Sequence, residues 1–93
     1  RYIYYIIMEF EYNPEKSMAN MVKHGMNFRD AQQLWEDSGL QVIKARTDGE
    51  PRWIAIGRIE NKHWSAVFTP RGKAIRIISV RISRPKEIEL YEN

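Results

Sequence analysis

The hydrophobic pattern changes period once, near residue 40, and that change narrows the folds open to this chain more than any other feature. Before it, apolar residues recur at helical spacing; after it, they alternate. Alternating stretches at about 40–46, 52–59, 63–69 and 74–82 read as four strands. The segments Asp48-Gly49, Glu60-Asn61-Lys62 and Pro70-Arg71-Gly72 are short and made of turn formers. Each strand is therefore expected to fold back on the one before it, as a four-strand antiparallel meander.

Ahead of the meander, Phe10 and Tyr12 alternate with Glu9, Glu11 and Asn13, the pattern of a half-buried strand. Asn13-Pro14 then starts a helix, because Asn caps and Pro fits the first helical position, where its missing N–H costs nothing. Met18, Met21 and Val22 form an apolar stripe at helical spacing, and Gly25 ends the helix behind Lys23 and His24. Asn27 caps a second helix with Phe28, Ala31, Leu34 and Trp35 on one face, broken by Asp37-Ser38-Gly39. The short connection between the two predicts a helical hairpin. Ser83 and Pro85 open a last helix at about 84–92. The expected architecture is a two-layer α+β domain: N-terminal strand, helical hairpin, meander, C-terminal helix.

At 93 residues the chain makes one domain. It has no cysteine, which excludes a disulfide scaffold, a thiolate nucleophile and a thiolate zinc site, and which fits a reducing cytoplasm. The longest apolar stretch, Tyr2–Met8, is far short of the ~20 residues that span a bilayer. It also lacks a signal-peptide cleavage site. Met8 opens a sequence that reads normally from there on, so the domain is expected to run over 8–93, with 1–7 an upstream segment. An extra edge strand is the rival reading of 1–7, since Tyr and Ile form strands well.

Net charge is only +3, yet no acidic residue falls between Glu60 and Glu87. That interval carries Lys62, Arg71, Lys73, Arg76, Arg81, Arg84 and Lys86, with His63 and Trp64 among them. A block of one sign points to a polyanion or an acidic protein as partner, against the plainer reading of a solvated sheet face. The five glycines form no phosphate loop, and His24 and His63 stand far apart, so nothing suggests a nucleotide cofactor or a metal.

What remains is arginine, lysine, histidine, tyrosine and glutamate on a sheet, a set that can run metal-free RNA cleavage. The reaction needs a base for the ribose 2′-OH, cations for the pentavalent phosphate and an acid for the leaving 5′-oxygen, and it produces a cyclic phosphate. Strand alternation places Arg52, Ile54, Ile56 and Arg58 on one face. On the last strand it groups Ile75, Ile77, Ser79 and Arg81, and sets Arg76 with Ile78 and Val80 opposite. Arg84, Glu87 and Tyr91, at i, i+3 and i+7, project from one helix face just after Arg81. On spacing alone a surface ion pair beside a packing tyrosine explains that trio better than catalysis does, and Trp53 and Trp64 are more readily core than an RNA platform. The expected catalytic set is Arg81, Tyr91, Glu87, His63 and Arg52. The expected RNA-binding set is Arg58, Lys62, Arg71, Lys73, Arg76 and Arg84.

Several ordered segments resemble the BrnT family of bacterial toxins. They are Phe10-Glu11-Tyr12-Asn13-Pro14, Asn20 through Lys23-His24-Gly25, Phe28 through Ala31, Arg52-Trp53-Ile54-Ala55-Ile56-Gly57 and Arg71-Gly72. The most specific is Ile75-Arg76-Ile77-Ile78-Ser79-Val80-Arg81, followed by Glu87 and Tyr91. The resemblance runs from Met8 to the C-terminus. It implies a RelE-like ribonuclease fold, RNA cleavage that arrests growth, and neutralisation by a BrnA-like antitoxin with a ribbon-helix-helix DNA-binding domain. It also implies that the complex represses its own operon, so that operator DNA is met only through the antitoxin. The competing hypotheses are a non-enzymatic basic nucleic-acid-binding module and a protein whose basic face serves only to receive an acidic partner.

Overall fold

A computed structural model describes residues 8–93; the expectations for 1–7 lie outside the described residues. Strand β1 (Glu9–Glu11) leads into helix α1 (Pro14–His24). The side chain of Asn13 caps α1 by accepting from the amides of Glu15 and Lys16 at 2.8 and 3.1 Å. Gly25 closes it in the left-handed conformation, φ 83°, its N–H reaching the Met21 carbonyl at 2.9 Å.

The second helix is shorter than expected. Helix α2 (Phe28–Ala31), capped by Asn27, passes directly into a 3-10 turn over Gln32–Glu36. The sequence carries the reason: Phe28, Ala31 and Leu34 are spaced by three, which suits three residues per turn as well as 3.6. All three are fully buried.

Strands β2 (Gln41–Lys44), β3 (Trp53–Ile59), β4 (Lys62–Arg71) and β5 (Ala74–Ile82) pair antiparallel in sequence, and helix α3 (Pro85–Glu92) ends the chain. The sheet is larger than the meander, however. β1 joins it parallel to β5, with Phe10 opposite Ile75, giving a mixed five-stranded sheet of order β1-β5-β4-β3-β2. The connection through the helical hairpin and meander makes this parallel pairing possible.

One face of the sheet carries the main core. Trp64, Ala66 and Phe68 of β4 meet Ala55, Ile77 and Val80 and bury Phe28, Ala31, Leu34 and Trp35. Trp35 stands edge-on to both Phe10 and Phe68, with ring centroids 5.2 and 5.4 Å apart. Gly57 lets the 3-10 turn approach, since a Cβ there would lie 3.0 Å from the Leu34 side chain.

Ile77 and Val80 are both in this core, contrary to simple alternation. A β-bulge explains it: Phe68 pairs with Ile77 while Val67 pairs with Ser79, so Ile78 is an extra residue. Past the bulge the pleat shifts by one, and Arg76 and Arg81 share the opposite face.

The residues alternating with the core face the other way. Ser65 sits between Trp64 and Ala66, yet its hydroxyl bonds Glu87 of α3. Helix α3 therefore lies across the second face, and the expected two layers become a partial third at that end. Among the described residues no other element covers this face. Ile43, Ile54, Val67 and Ser79 form a row straight across it, one from each of β2 to β5, each half-buried.

Helix α1 inverts the expected pattern. Its buried residues are Ser17 and Asn20, whereas Met18, Met21 and Val22 face solvent. Asn20 explains the inversion. Its carboxamide accepts from the Val80 N–H at 3.1 Å and donates to the Val80 carbonyl at 2.8 Å, standing in for a neighbouring strand where β5 runs past β1. It also donates to the Met26 carbonyl at 2.7 Å, and the Ser17 hydroxyl accepts from the Phe28 amide at 2.8 Å. Among the described residues no helix is long and apolar enough to cross a membrane.

Candidate active site

The residues singled out from sequence separate into two groups at opposite ends of the open face. Arg81, Glu87, Tyr91, His63, Arg58 and Arg84 lie around α3; Arg52, Arg71, Lys73 and Arg76 lie at the far end. Lys62 stands apart from both: it alternates with His63 and pairs with Ile59, so it faces the helical side with Trp64, Gly25 and Met26. His63 and Arg71 are eight residues apart on one strand, roughly 26 Å. A single phosphate cannot be held by both groups, so Arg52 stands outside any centre built on the other four expected catalytic residues.

At the α3 end, Ser83-Arg84-Pro85 turns the chain onto the sheet. Arg84 provides no capping side chain; Glu87 instead reaches back to accept from the Arg84 amide at 2.8 Å. The same carboxylate oxygen accepts from the Ser65 hydroxyl at 2.9 Å and the Arg81 guanidinium at 2.7 Å. A second Arg81 nitrogen reaches the other oxygen at 2.9 Å. Both side chains are largely buried, 20% and 10% exposed. The Arg81 hydrogen bonds, helped by the Arg84 amide and the Ser65 hydroxyl, outweigh burial and hold the Glu87 pKa at about 2. Hydrogen bonding to Glu87 raises Arg81 in turn. The fork expected to grip phosphate is thus already closed on a carboxylate.

One turn on, Tyr91 crosses the end of β3 and donates its hydroxyl to Asp37 at 2.8 Å. Burial and this bond both push the Tyr91 pKa up, so the phenol stays protonated. Burial raises the Asp37 pKa too, but the amides of Arg58 and Gly39, each at 2.8 Å, together with Tyr91 hold it below its ordinary value. Asp37 thereby ties the 3-10 turn, β3 and α3 together. In the sequence it carries only the signal of a helix breaker; its reach to Arg58, twenty-one residues away, has no local trace.

His63 packs edge-on against Tyr91, ring centroids 5.1 Å apart, and its Nε2 lies 2.7 Å from the Glu92 carboxylate. Across the β3–β4 ladder it pairs with Arg58, which is exposed. An open cleft of about 380 Å³ lies here, walled by Glu36, Asp37, Arg58, Glu60 and Tyr91. In the sequence Glu92 carries no signal, because a glutamate in the last turn of a helix is an ordinary surface residue.

The far end looks different. Arg71 lies 3.9 Å from Glu11 and 4.0 Å from Glu50, Arg76 lies 3.4 Å from Glu11, and Arg52 lies 4.0 Å from Glu50. These are loose pairs with exposed partners. Arg52 Nε is buried without a hydrogen-bond partner among the described residues. Lys73 is exposed in the β4–β5 turn. Among the described residues no three His, Asp or Glu side chains gather as a metal site.

No curated protein sequence matches the chain. Residues 12–87 match the family model described as the ribonuclease toxin BrnT of type II toxin–antitoxin systems. The match spans every element from α1 to β5 and enters α3, including Arg81 and Glu87. On that evidence the chain belongs to the BrnT family of ribonuclease toxins.

Proposed function

We propose that this chain is a metal-independent endoribonuclease whose cleavage centre is His63 at the α3 end of the open sheet face. The observation that carries the reading is the His63 ring, held by Glu92 at 2.7 Å and by Tyr91 edge-on, with Arg58 opposite on β3. Glu92 orients the imidazole through Nε2, which leaves Nδ1 for substrate. His63 takes the proton of the ribose 2′-OH; the freed oxygen attacks phosphorus, the P–O5′ bond breaks with the leaving 5′-oxygen taking a proton from water, and a 2′,3′-cyclic phosphate remains. Arg58, opposite His63 on β3, stabilises the added negative charge. Arg81, Glu87 and Tyr91 act as positioning residues that fix α3, and Arg84 stands exposed beside them.

Arg52, Arg71 and Arg76, with Lys73, hold backbone phosphates further along the RNA. The loose pairing of these arginines with partly exposed carboxylates supports that role. The half-buried row Ile43, Ile54 and Val67 floors the path between the two ends. A RelE-like ribonuclease fold fits this layout, with the helical hairpin on one sheet face and the substrate on the other. As a type II toxin in the bacterial cytoplasm, the protein arrests growth when free. A BrnA-like antitoxin with a ribbon-helix-helix domain neutralises it, and the complex represses its operon.

The test is single-turnover cleavage of labelled RNA in EDTA by the purified protein. Cleavage is expected to persist, with cyclic-phosphate ends detectable by mass spectrometry. His63→Ala is expected to slow it by about 10²–10⁴ at unchanged melting temperature. Loss in EDTA restored by magnesium overturns the metal-free mechanism, and salt-sensitive RNA retention without cleavage leaves a binding module instead.

A further inference from the structure

We infer that the outward face of α1 is a docking surface for the toxin's protein antitoxin, through a helical segment with large apolar anchors and acidic flanks. The inference rests on family membership in a type II system, not on the cleavage centre. Helix α1 buries its polar side: Ser17 and Asn20 bond backbone groups of Phe28, Met26 and Val80. The stripe left outside is apolar, with Met18, Met21 and Val22 exposed by 72%, 49% and 89%. At i, i+3 and i+4 these three cover about 100° of the helix surface, the width of a face built for packing. An exposed contiguous apolar face of this kind marks an interaction site more often than a solvated surface. Methionine suits it, since its flexible thioether adapts to a partner's shape.

Charge identifies the occupant. Beside the stripe runs a groove of about 300 Å³ between α1 and β5, with Ala19, Phe28 and Ile78 along its floor. Lys16, Lys23 and His24 line it, and no acidic residue does. Glu15, the one acid of α1, sits in the first turn, where it complements the helix dipole. An apolar strip with a basic border fits a segment of opposite character: apolar side chains at helical spacing with carboxylates alongside. A second copy of this chain would bring lysine against lysine, and RNA would find no use for the methionines. The grip is also separate from cleavage, since the stripe points away from the sheet and from His63. Antitoxin affinity and ribonuclease activity can therefore be changed independently.

The test measures binding of the antitoxin encoded beside this toxin by titration calorimetry, together with RNA cleavage by the free toxin. Val22→Glu and Met18→Glu are expected to weaken binding by about tenfold or more each. Both sites are solvent-exposed, so melting temperature and cleavage are expected to stay at wild-type values. Lys16→Glu with Lys23→Glu is expected to weaken binding further and to reduce its salt dependence. Unchanged affinity in all these variants overturns the inference. So does a sedimentation result in which the toxin alone dimerises and Val22→Glu makes it monomeric, because the occupant is then a second copy. Failure of the ribonuclease reading would appear separately, as absent cleavage by the wild-type protein, and would not alter the binding outcome.

Discussion

The two ends of the open sheet face use the same residue types to opposite effect. At the α3 end Arg81 and Glu87 meet through two bonds of 2.7 and 2.9 Å, largely buried, with Ser65 and the Arg84 amide completing the carboxylate. At the far end Arg52, Arg71 and Arg76 share Glu11 and Glu50 at 3.4 to 4.0 Å, in partly solvated pairs. Removing water turns an ion pair into a fixed part of the fold, while leaving water in keeps an arginine free to exchange its carboxylate for a phosphate. Arginine count is thus a poor guide to a polyanion site; pairing geometry and burial separate the residues that hold the protein together from those still open to solvent.

Breaking the tight pair should have the largest effect. Arg81→Ala leaves a desolvated carboxylate unpaired and is expected to lower unfolding free energy by about 3 kcal/mol, measured by denaturant titration. Cleavage should fall only as far as the folded fraction falls. A wild-type melting curve with lost cleavage would instead return Arg81 to the substrate.

The far end should respond in affinity, not stability. The triple variant Arg52→Ala, Arg71→Ala, Arg76→Ala is expected to weaken RNA binding and to reduce the slope of log K against log salt by about 0.7 for each phosphate that is no longer neutralised. An unchanged slope would remove the far end from the RNA path.

Acid sharpens the same contrast. The Glu87 pKa lies at about 2 in the fold against an ordinary 4.5, so the unfolded chain binds the proton more readily. Stability from this group is complete above its unfolded pKa and is lost as pH falls from about 4.5 towards about 2. Glu87→Gln should flatten the stability profile across that window, and an equal slope in the variant would place the acid sensitivity elsewhere.

Tyr91→Phe keeps the ring against His63 and removes only the bond to Asp37, for an expected loss of about 1.5 kcal/mol by thermal melting. Glu50→Gln should be the mildest change. It loosens two pairs at 4.0 Å, so stability should move by about 0.5 kcal/mol or less. A larger fall would mean the far-end network is as fixed as the α3 corner.

Local signals carried most of the elements. Asn13, Pro14, Gly25 and Asn27 act within one turn of chain, so capping and termination can be read from neighbours, and period-two alternation marked the four meander strands. The residue types of the candidate site were legible as well, because a long acid-free interval is a one-dimensional fact. Three matters depended on contacts across the chain. The bulge at Ile78 reset which residues of β5 share a face, since only the register with β4 reveals an extra residue. The inversion of α1 came from Asn20 filling the unpaired edge of Val80, sixty residues away, which no helical wheel can report. The division of the arginines came from burial beneath α3, which decides whether a guanidinium meets a carboxylate or water. Sequence by itself determined which elements form and where the ionisable side chains fall along them, because propensity, capping and charge act over a few residues. The tertiary structure alone decided which groups are used up by the fold and which are left free, because desolvation depends on what packs above a side chain.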